Sequence, residues 1–292
     1  MIRPRVLAKR LLFGTVPFFR GRFRYFNQVV HFPLGSHIFV RACEEGVYER
    51  DVTDLILTLV EPETTYFDVG ANIGLLSVPV LTLCPTVRVL SIEPSPDTLS
   101  FLHRTQLTAR RSKDWTIIGA AVGAKAGEAD FWSSGGAMGA FDGLRDTGRG
   151  GQKHVVRVPV RTLDDIWREK GCPPVSIMKI DIEGGEYHAL QGGRELISNA
   201  RPILIIEWTE RNLAAYGIKS EELLHLCAEL RYVAYAYPSL ILIEVQAILK
   251  IMMTKTETFI LAPTNEIRAH NALRAFRRYG DGQSHPTATA AR

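Results

Sequence analysis

The chain has 292 residues, enough for one large domain or two small ones, and 46% of them are apolar, the share of an ordinary globular protein. The net charge of +4 is too small an excess to argue for nucleic acid. Four cysteines, Cys43, Cys84, Cys172 and Cys227, stand far apart without a CxxC or Cys/His cluster, which argues against a zinc site or a disulfide framework and leaves reduced cytoplasmic thiols as the default.

The opening stretch "MIRPRVLAKRLLFGTVPFFRGRFRYF" alternates Arg and Lys with Phe, Leu and Tyr and has no acid. Two readings stand: an extension packed on its own domain with basic groups in water, which is preferred, and a peripheral membrane-surface anchor. It does not read as a signal peptide, because Gly14 and Pro17 break the apolar run and three arginines follow. "SLILIEVQAILKIMM" is the nearest approach to a spanning helix, and Glu244 and Lys250 interrupt it.

From residue 50 onward, helical and short apolar segments alternate. "DVTDLILTLV" has helix spacing, "TYFDVG" reads as a buried strand, and "NIGLLSVPVLTLC" as a helix ending before Pro85. "VRVLSIEP" is a second strand, "SPDTLSFLHRTQLTA" a helix with a Ser-Pro start, and "TIIGAAVG" a third strand. "EADFW" and "HVVRVPV" flank a Gly-rich stretch, 133–153, too long for a tight hairpin and readable as either a disordered loop or a lid. "LDDIWREK", "GEYHALQGGRELISN" and "SEELLHLCAELR" predict helices; "VSIMKIDIE", "PILIIEW", "YVAYAY" and "TFILAP" predict strands. This alternation implies an α/β fold with a mostly parallel sheet and helices on both faces. The expected organisation is a basic, aromatic extension over 1–40, one domain over 41–263, and a basic then flexible tail over 264–292.

In such a sheet, ligands bind beyond the carboxyl ends of the strands. The first strand ends in Asp68-Val69-Gly70-Ala71-Asn72-Ile73-Gly74. Gly70 permits a sharp turn and close ligand approach, and Gly74 permits close helix–strand packing. Asn72 and Leu75 stand where the dinucleotide fingerprint requires glycines, so the turn suits a ligand without a diphosphate. Glu93, about twenty residues on at the end of the second strand, is placed to accept both hydroxyls of a ribose.

"FDVGANIGLLSV", "SIEPSPDTLSFL", "AAVGAKAGEADFW", "VRTLDDI" and "IMKIDIEGGEYHALQGG", in this order, resemble the FkbM family of S-adenosylmethionine-dependent methyltransferases over roughly residues 40–262. The resemblance implies the class I methyltransferase fold, a Rossmann-like sheet of seven strands with a late antiparallel one. It also implies that the Asp68–Gly74 turn holds the methionine half of S-adenosylmethionine, Glu93 the ribose, and Ala121-Val122 the adenine. The chain departs from the family at Leu102-His103-Arg104-Thr105, where an Asn is usual.

The second chemical motif is "KIDIEGGEYHAL", at a strand end and the following helix start. Alternation puts Lys179, Asp181 and Glu183 on one side if the strand stays extended. Asp181 and Glu183 are candidates for holding the cofactor's ammonium group and for deprotonating an acceptor hydroxyl. Lys179 and Glu186 read equally well as an ion-pair partner and a helix-dipole group. His154 and His188 are weaker rivals for the base. No third ligand is fixed in the sequence, so no metal is expected.

Glu207 and Trp208, at the next strand end, are candidates for lining the acceptor pocket, with Trp208 stacking on a flat ring; Trp132 and Tyr48 rank below them. The expected activity is O-methylation of a hydroxyl on a sugar, glycan or polyketide-like small molecule, the acceptor class coming from the resemblance. An NAD-dependent oxidoreductase and a non-catalytic, membrane-docked binding protein are the alternatives. No flipped-base motif and no basic stripe in the domain point to nucleic acid.

Overall fold

The computed structural model describes residues 4–15, 21–135, 138–265 and 273. The elements in chain order begin with α1 (Pro4–Thr15), β1 (Arg22–Tyr25), β2 (Gln28–His31), α2 (His37–Glu45), α3 (Arg50–Leu59), β3 (Thr65–Val69) and α4 (Ser77–Leu83). Next come β4 (Arg88–Ile92), α5 (Pro96–Thr108), β5 (Trp115–Ile118), β6 (Ala121–Val122), β7 (Gly127–Ser133), β8 (His154–Arg161) and α6 (Leu163–Glu169). The rest are β9 (Val175–Ile180), α7 (Glu186–Gln191), α8 (Arg194–Ala200), β10 (Ile203–Glu207), α9 (Glu210–Ala215), α10 (Glu222–Leu230), β11 (Tyr232–Ala236), β12 (Ile241–Ile243), α11 (Gln246–Met253) and β13 (Thr258–Pro263).

Among the described residues, eight strands form one sheet in the order β12-β11-β13-β10-β9-β3-β4-β5. The strands from β10 to β5 pair in parallel, and β13 enters antiparallel between β10 and β11. The late antiparallel strand is therefore present, and the expected seven strands are extended at one edge by β12, which folds back antiparallel on β11. Sequence reading missed β12 because its three residues merge into the apolar run that continues as α11.

Strands buried on both faces read as nearly continuous apolar runs, and every residue of β3 is buried. Period-2 alternation sends Tyr66, Val89, Ile177 and Ile205 to one face, where α2, α3, α4 and α5 pack. It sends Phe67, Leu90, Met178 and Ile206 to the other, against α6, α7, α8 and α10. The chain winds outward from β3 through β4 and β5, then returns to place β9 on the opposite flank. The reversal point lies between β3 and β9, where the carboxyl ends open a crevice.

Several expected elements are divided. The third strand breaks at Gly119-Ala120, leaving β6 to join β8 and β7 in a second, three-stranded sheet. The helix expected over 185–199 is parted at Gly192-Gly193; a Cβ on Gly192 would lie 2.2 Å from the Gly123 carbonyl oxygen, so the close packing of these two backbones requires glycine. The helix expected from Asn72 starts only at Ser77, because residues 71–76 form turns.

β7 and β8 are antiparallel partners, so the Gly-rich stretch is after all the loop of one hairpin, a long one. Its described residues are ordered by contacts: Trp132 and Gly143 bridge, and Asp142 accepts from Ser133 Oγ at 3.0 Å and the Ser134 amide at 2.6 Å. The expected division at residue 40 falls inside α2, and Phe23, Val30 and Phe32 are buried in the main core. The β1–β2 hairpin and α2 thus pack on the main core. The tail expected over 264–292 lies almost wholly outside the described residues.

Candidate active site

The carboxyl ends of β3, β4 and β9 surround an open cleft of about 880 Å³. Asp68, Gly70, Asn72, Glu93, Ala121, Val122, Asp181 and Glu183 all line it, so the fold brings together most of the residues singled out in the sequence. Gly74 stands just behind, where a Cβ would meet Leu102 at 2.9 Å and Trp115 at 3.0 Å.

Gly70 has φ +85°, and a Cβ there would lie 1.9 Å from the Asp181 carbonyl oxygen. The turn after β3 and the turn after β9 are thus in backbone contact, and only a residue without a side chain permits it. Asn72 also adopts a positive φ, 50°, and its amide donates to Glu93 Oε2 at 2.9 Å. Glu93 Oε1 accepts from the Ser95 amide at 2.9 Å. Each carboxylate oxygen keeps a further lone pair for a ligand hydroxyl. Burial, opposed by these two amides, pushes the Glu93 carboxyl up to about 7.

Asp68 is held from beneath by a buried relay. Ser77 Oγ donates to Asp68 Oδ2 at 2.5 Å and lies 2.7 Å from Ser91 Oγ, which accepts from Trp115 Nε1 at 2.8 Å. Burial, opposed by the Ser77 hydrogen bond, pushes Asp68 up to about 6. The sequence offered no signal for this relay beyond apolar context, because its members come from four separate elements.

β9 ends at Ile180, so the expected alternation does not continue to Glu183, which has φ +54° in a turn. A non-glycine residue in that region is strained by about 1–3 kcal/mol, a cost that clusters at functional sites. Lys179 Nζ donates to Asp181 Oδ2 at 2.6 Å and lies 4.0 Å from Glu49. Burial works to raise Asp181, but the Lys179 ammonium prevails and holds it below the usual carboxylate range. Glu183 behaves oppositely: burial and the Asp181 charge push it up to about 7, against the pull of Arg149. Arg149, from the β7–β8 loop, places Nη1 3.3 Å from Glu183 and 3.7 Å from Glu207 and stacks over Phe141 at 4.7 Å.

Glu186 is buried and bound into its own turn, accepting the Ile182 amide at 2.8 Å. Asp181, Glu186 and Glu207 nevertheless bring carboxylate oxygens within 4.8 Å of one another, a third acid that the sequence alone could not supply. Lys179 and Arg149 already stand against Asp181 and Glu207.

Trp208 requires correction as an acceptor-stacking residue. It is 0% exposed, and its Nε1 donates to the Ser220 carbonyl at 3.0 Å inside the core. Trp208 follows directly on β10, and its indole turns into the core with Leu213 of α9 and Leu223 of α10. The aromatic residues that do line the cleft are Tyr48, Phe131 and Tyr216. His188 is half-buried against Tyr187 and Tyr216, and His154 is exposed at the start of β8. Sequence reasoning missed Glu49, Asp142 and Arg149, which sit in stretches without periodicity.

The acids of the cleft make stability depend on pH with a definite sign. Asp68, Glu93, Glu183 and Glu186 have folded-state values raised to about 6, 7, 7 and 8. Between their unfolded values and these, the folded chain holds more protons than the unfolded one, so stability falls as pH rises. Burial lowers His31 and His188, which act in the opposite direction below their ordinary value, but they are fewer. Without ligand, the protein is expected to resist urea better at pH 5 than at pH 8. Equal midpoints, or a higher one at pH 8, would contradict the assigned burial of these acids.

Residues 68–237 match the Methyltransferase FkbM domain, more than half of the chain. The 2-O-methyltransferase NoeI of Sinorhizobium fredii (strain NBRC 101917 / NGR234) is 22% identical over 192 residues, 62% of this chain and 77% of that protein. The crystal structure of an FkbM methyltransferase from Methylobacillus flagellatus KT aligns at 20% identity and a TM-score of 0.43, covering 68% of this chain but only 43% of that one. Cofactor-bound Rv0187 from MTB aligns at 13% identity and a TM-score of 0.43, over 75% of this chain and 80% of that one. The family match removes the oxidoreductase alternative. By its cleft, its turn motifs and this domain match, the chain belongs to the FkbM family of S-adenosylmethionine-dependent methyltransferases.

Proposed function

We propose that the protein methylates a hydroxyl oxygen of a sugar, glycan or polyketide-like small molecule. The observation that carries this reading is the divergence of two neighbouring acids, Asp181 kept ionised by Lys179 and Glu183 raised to about 7. Two carboxyl groups whose surroundings drive them apart divide into an electrostatic partner and a proton acceptor. An alcohol needs such an acceptor, one that titrates near the working pH. The name of the relative NoeI, a 2-O-methyltransferase, supports oxygen as the target.

The residues present fit S-adenosylmethionine: bare backbone at Gly70 and a buried acid with lone pairs to spare at Glu93, both lining one cleft. When bound, the cofactor supplies an activated methyl group. In this reading the Asp68–Gly74 turn and Asp181 hold its methionine half, Glu93 its ribose, and Ala121 and Val122 its adenine. Glu183 takes the proton of the acceptor hydroxyl, and Glu207, beside Arg149, borders the acceptor. The Gly-rich loop lines one side of the cleft through Gly139, Asp142 and Gly143.

Calorimetry with S-adenosylmethionine tests the donor half. Glu93→Ala is expected to weaken binding on the order of tenfold to a hundredfold, the range for losing hydrogen bonds to a charged group. Unchanged affinity would remove Glu93 from the site. Incubation with labelled S-adenosylmethionine and a panel of sugar and polyketide alcohols, followed by NMR of the product, tests the acceptor half. An O-methyl signal is expected, and methyl on nitrogen or carbon would overturn the reading.

A further inference from the structure

Glu49 stands in the turn between α2 and α3, outside the matched domain of residues 68–237, yet its carboxylate reaches a lysine of the cleft. It is the N-cap of α3, a position that favours Ser, Thr, Asp or Asn because a short side chain bonds the first free amides of the helix. Glu49 makes no such bond. Its φ of 42° and ψ of 56° are left-handed, a conformation that strains a residue with a side chain and that glycine adopts freely. The neighbours hold the turn in this shape. The Glu49 amide donates to Glu45 Oε2 at 2.9 Å, and Arg41, paired with Glu45 at 2.9 Å, lies over the Tyr48 ring at 5.1 Å. The Tyr48 amide donates to the Tyr25 hydroxyl oxygen at 3.2 Å, and Thr53 Oγ1 donates to the Tyr48 carbonyl at 2.9 Å.

The strained turn sends the Glu49 side chain to β9. Glu49 Oε2 lies 4.0 Å from Lys179 Nζ, the same ammonium that donates to Asp181 Oδ2 at 2.6 Å. Lys179 is buried. Burial works to lower its ammonium, but Asp181 and then Glu49 prevail, with Asp68 adding to them, and hold it above its ordinary value. Burial raises the Glu49 carboxyl and Lys179 opposes it, so the charge of Glu49 depends on the cations beside it. One ammonium is thus shared by carboxylates from three places in the chain: Asp68 of β3, Asp181 after β9 and Glu49 before α3. Asp68, Lys179 and Asp181 line the cleft, and so does Tyr48, the residue before Glu49. Three carboxylates around one ammonium favour a ligand that brings a further cation to this end of the cleft.

We propose that Glu49 is a positioning residue for the amino group of the methyl donor: it holds Lys179 so that Asp181 can receive a second ammonium group, the cofactor's. This rests on the reading in which Asp181 holds the methionine half of S-adenosylmethionine. Two ammonium groups beside one carboxylate repel each other, and a second carboxylate on Lys179 offsets that repulsion. Glu49 touches neither the cofactor nor the acceptor in this role; it acts through Lys179. The left-handed turn is the cost of bringing an acid from the α2–α3 connection to the end of β9.

Calorimetry of the full chain with S-adenosylhomocysteine and with its deamino analogue, in which hydrogen replaces the amino group, tests this without any methyl acceptor. Glu49→Gln keeps the volume and removes the charge. It is expected to weaken S-adenosylhomocysteine on the order of tenfold, the equivalent of about one pKa unit of charge interaction, and to change the deamino analogue by less than about twofold. Glu49→Gly removes the carboxylate and relieves the left-handed strain together, so it should show the same selective loss without a lower melting temperature. Equal losses for the two ligands, which a merely structural role would give, or wild-type affinity for S-adenosylhomocysteine in either variant, would overturn the proposal. Asp181→Asn separates it from the reading beneath. If Asp181→Asn loses S-adenosylhomocysteine selectively and Glu49→Gln does not, the role of Glu49 alone falls; if Asp181→Asn shows no selective loss, both fall.

Discussion

Glu183→Gln is expected to lower methyl transfer by about 10²–10⁴-fold, the usual share of a general base, while S-adenosylmethionine affinity changes by less than about threefold. The amide keeps the volume and a hydrogen bond to Arg149 is lost or weakened, but no proton can be accepted. The wild-type rate should rise with pH through a limb near the Glu183 value of about 7, and the variant should lack that limb. Arg149 stands 3.3 Å from the carboxylate and draws its value down, so Arg149→Gln should move the wild-type limb to higher pH. The charged groups facing Glu183 are Asp181, Arg149, Lys153, Glu257 and the neighbouring Glu207, and of these Arg149 pairs with both Glu183 and Glu207. A variant that retains activity within about tenfold would transfer the role to Asp181 or His188.

Gly70→Ala is the second large effect. The added methyl would lie 1.9 Å from the Asp181 carbonyl, and the neighbour is backbone, which cannot rotate aside. A loss of about 2–4 kcal/mol in unfolding free energy is expected, from the positive φ and the forced separation of two turns together. Asp68 and Asp181 would be moved apart by the same displacement, so donor binding should fall more than stability alone predicts. Urea denaturation and calorimetry on the same sample separate the two effects. An alanine variant with wild-type stability and affinity would mean that the β3 and β9 turns are not in contact. Ala71, one residue on, has negative φ, so Ala71→Ser serves as a control for substitution in the turn.

Much of this molecule was legible in the chain itself. The alternation of apolar runs gave the parallel sheet, because strands buried on both faces must be apolar throughout and helices must cover them. Asp68, Gly70 and Glu93 could be placed in one cleft from spacing, since carboxyl ends of adjacent parallel strands converge at one edge. The family resemblance rested on the same local motifs and supplied the donor. Where reading failed, the reason was also local. Trp208 and Glu207 share a strand end, and the sequence does not say which way the strand's last side chain turns. Glu183 was placed by alternation, which ceases to hold once φ becomes positive.

The sequence by itself determined the order of elements, the turn after β3 and the acid after β4, because short-range periodicity and glycine geometry are written in neighbouring residues. The tertiary structure alone decided the rest of the cleft. It brought Glu49 to Lys179, Arg149 to Glu183 and Glu207, and Ser91 to Ser77, pairs separated by up to 130 positions in the chain. Such pairs form where helices and loops close over the sheet, and their energies depend on burial and distance, which no local pattern records. The division of labour between Asp181 and Glu183 is therefore a property of the fold: two acids two residues apart differ only because one meets an ammonium group and the other is buried against a negative charge.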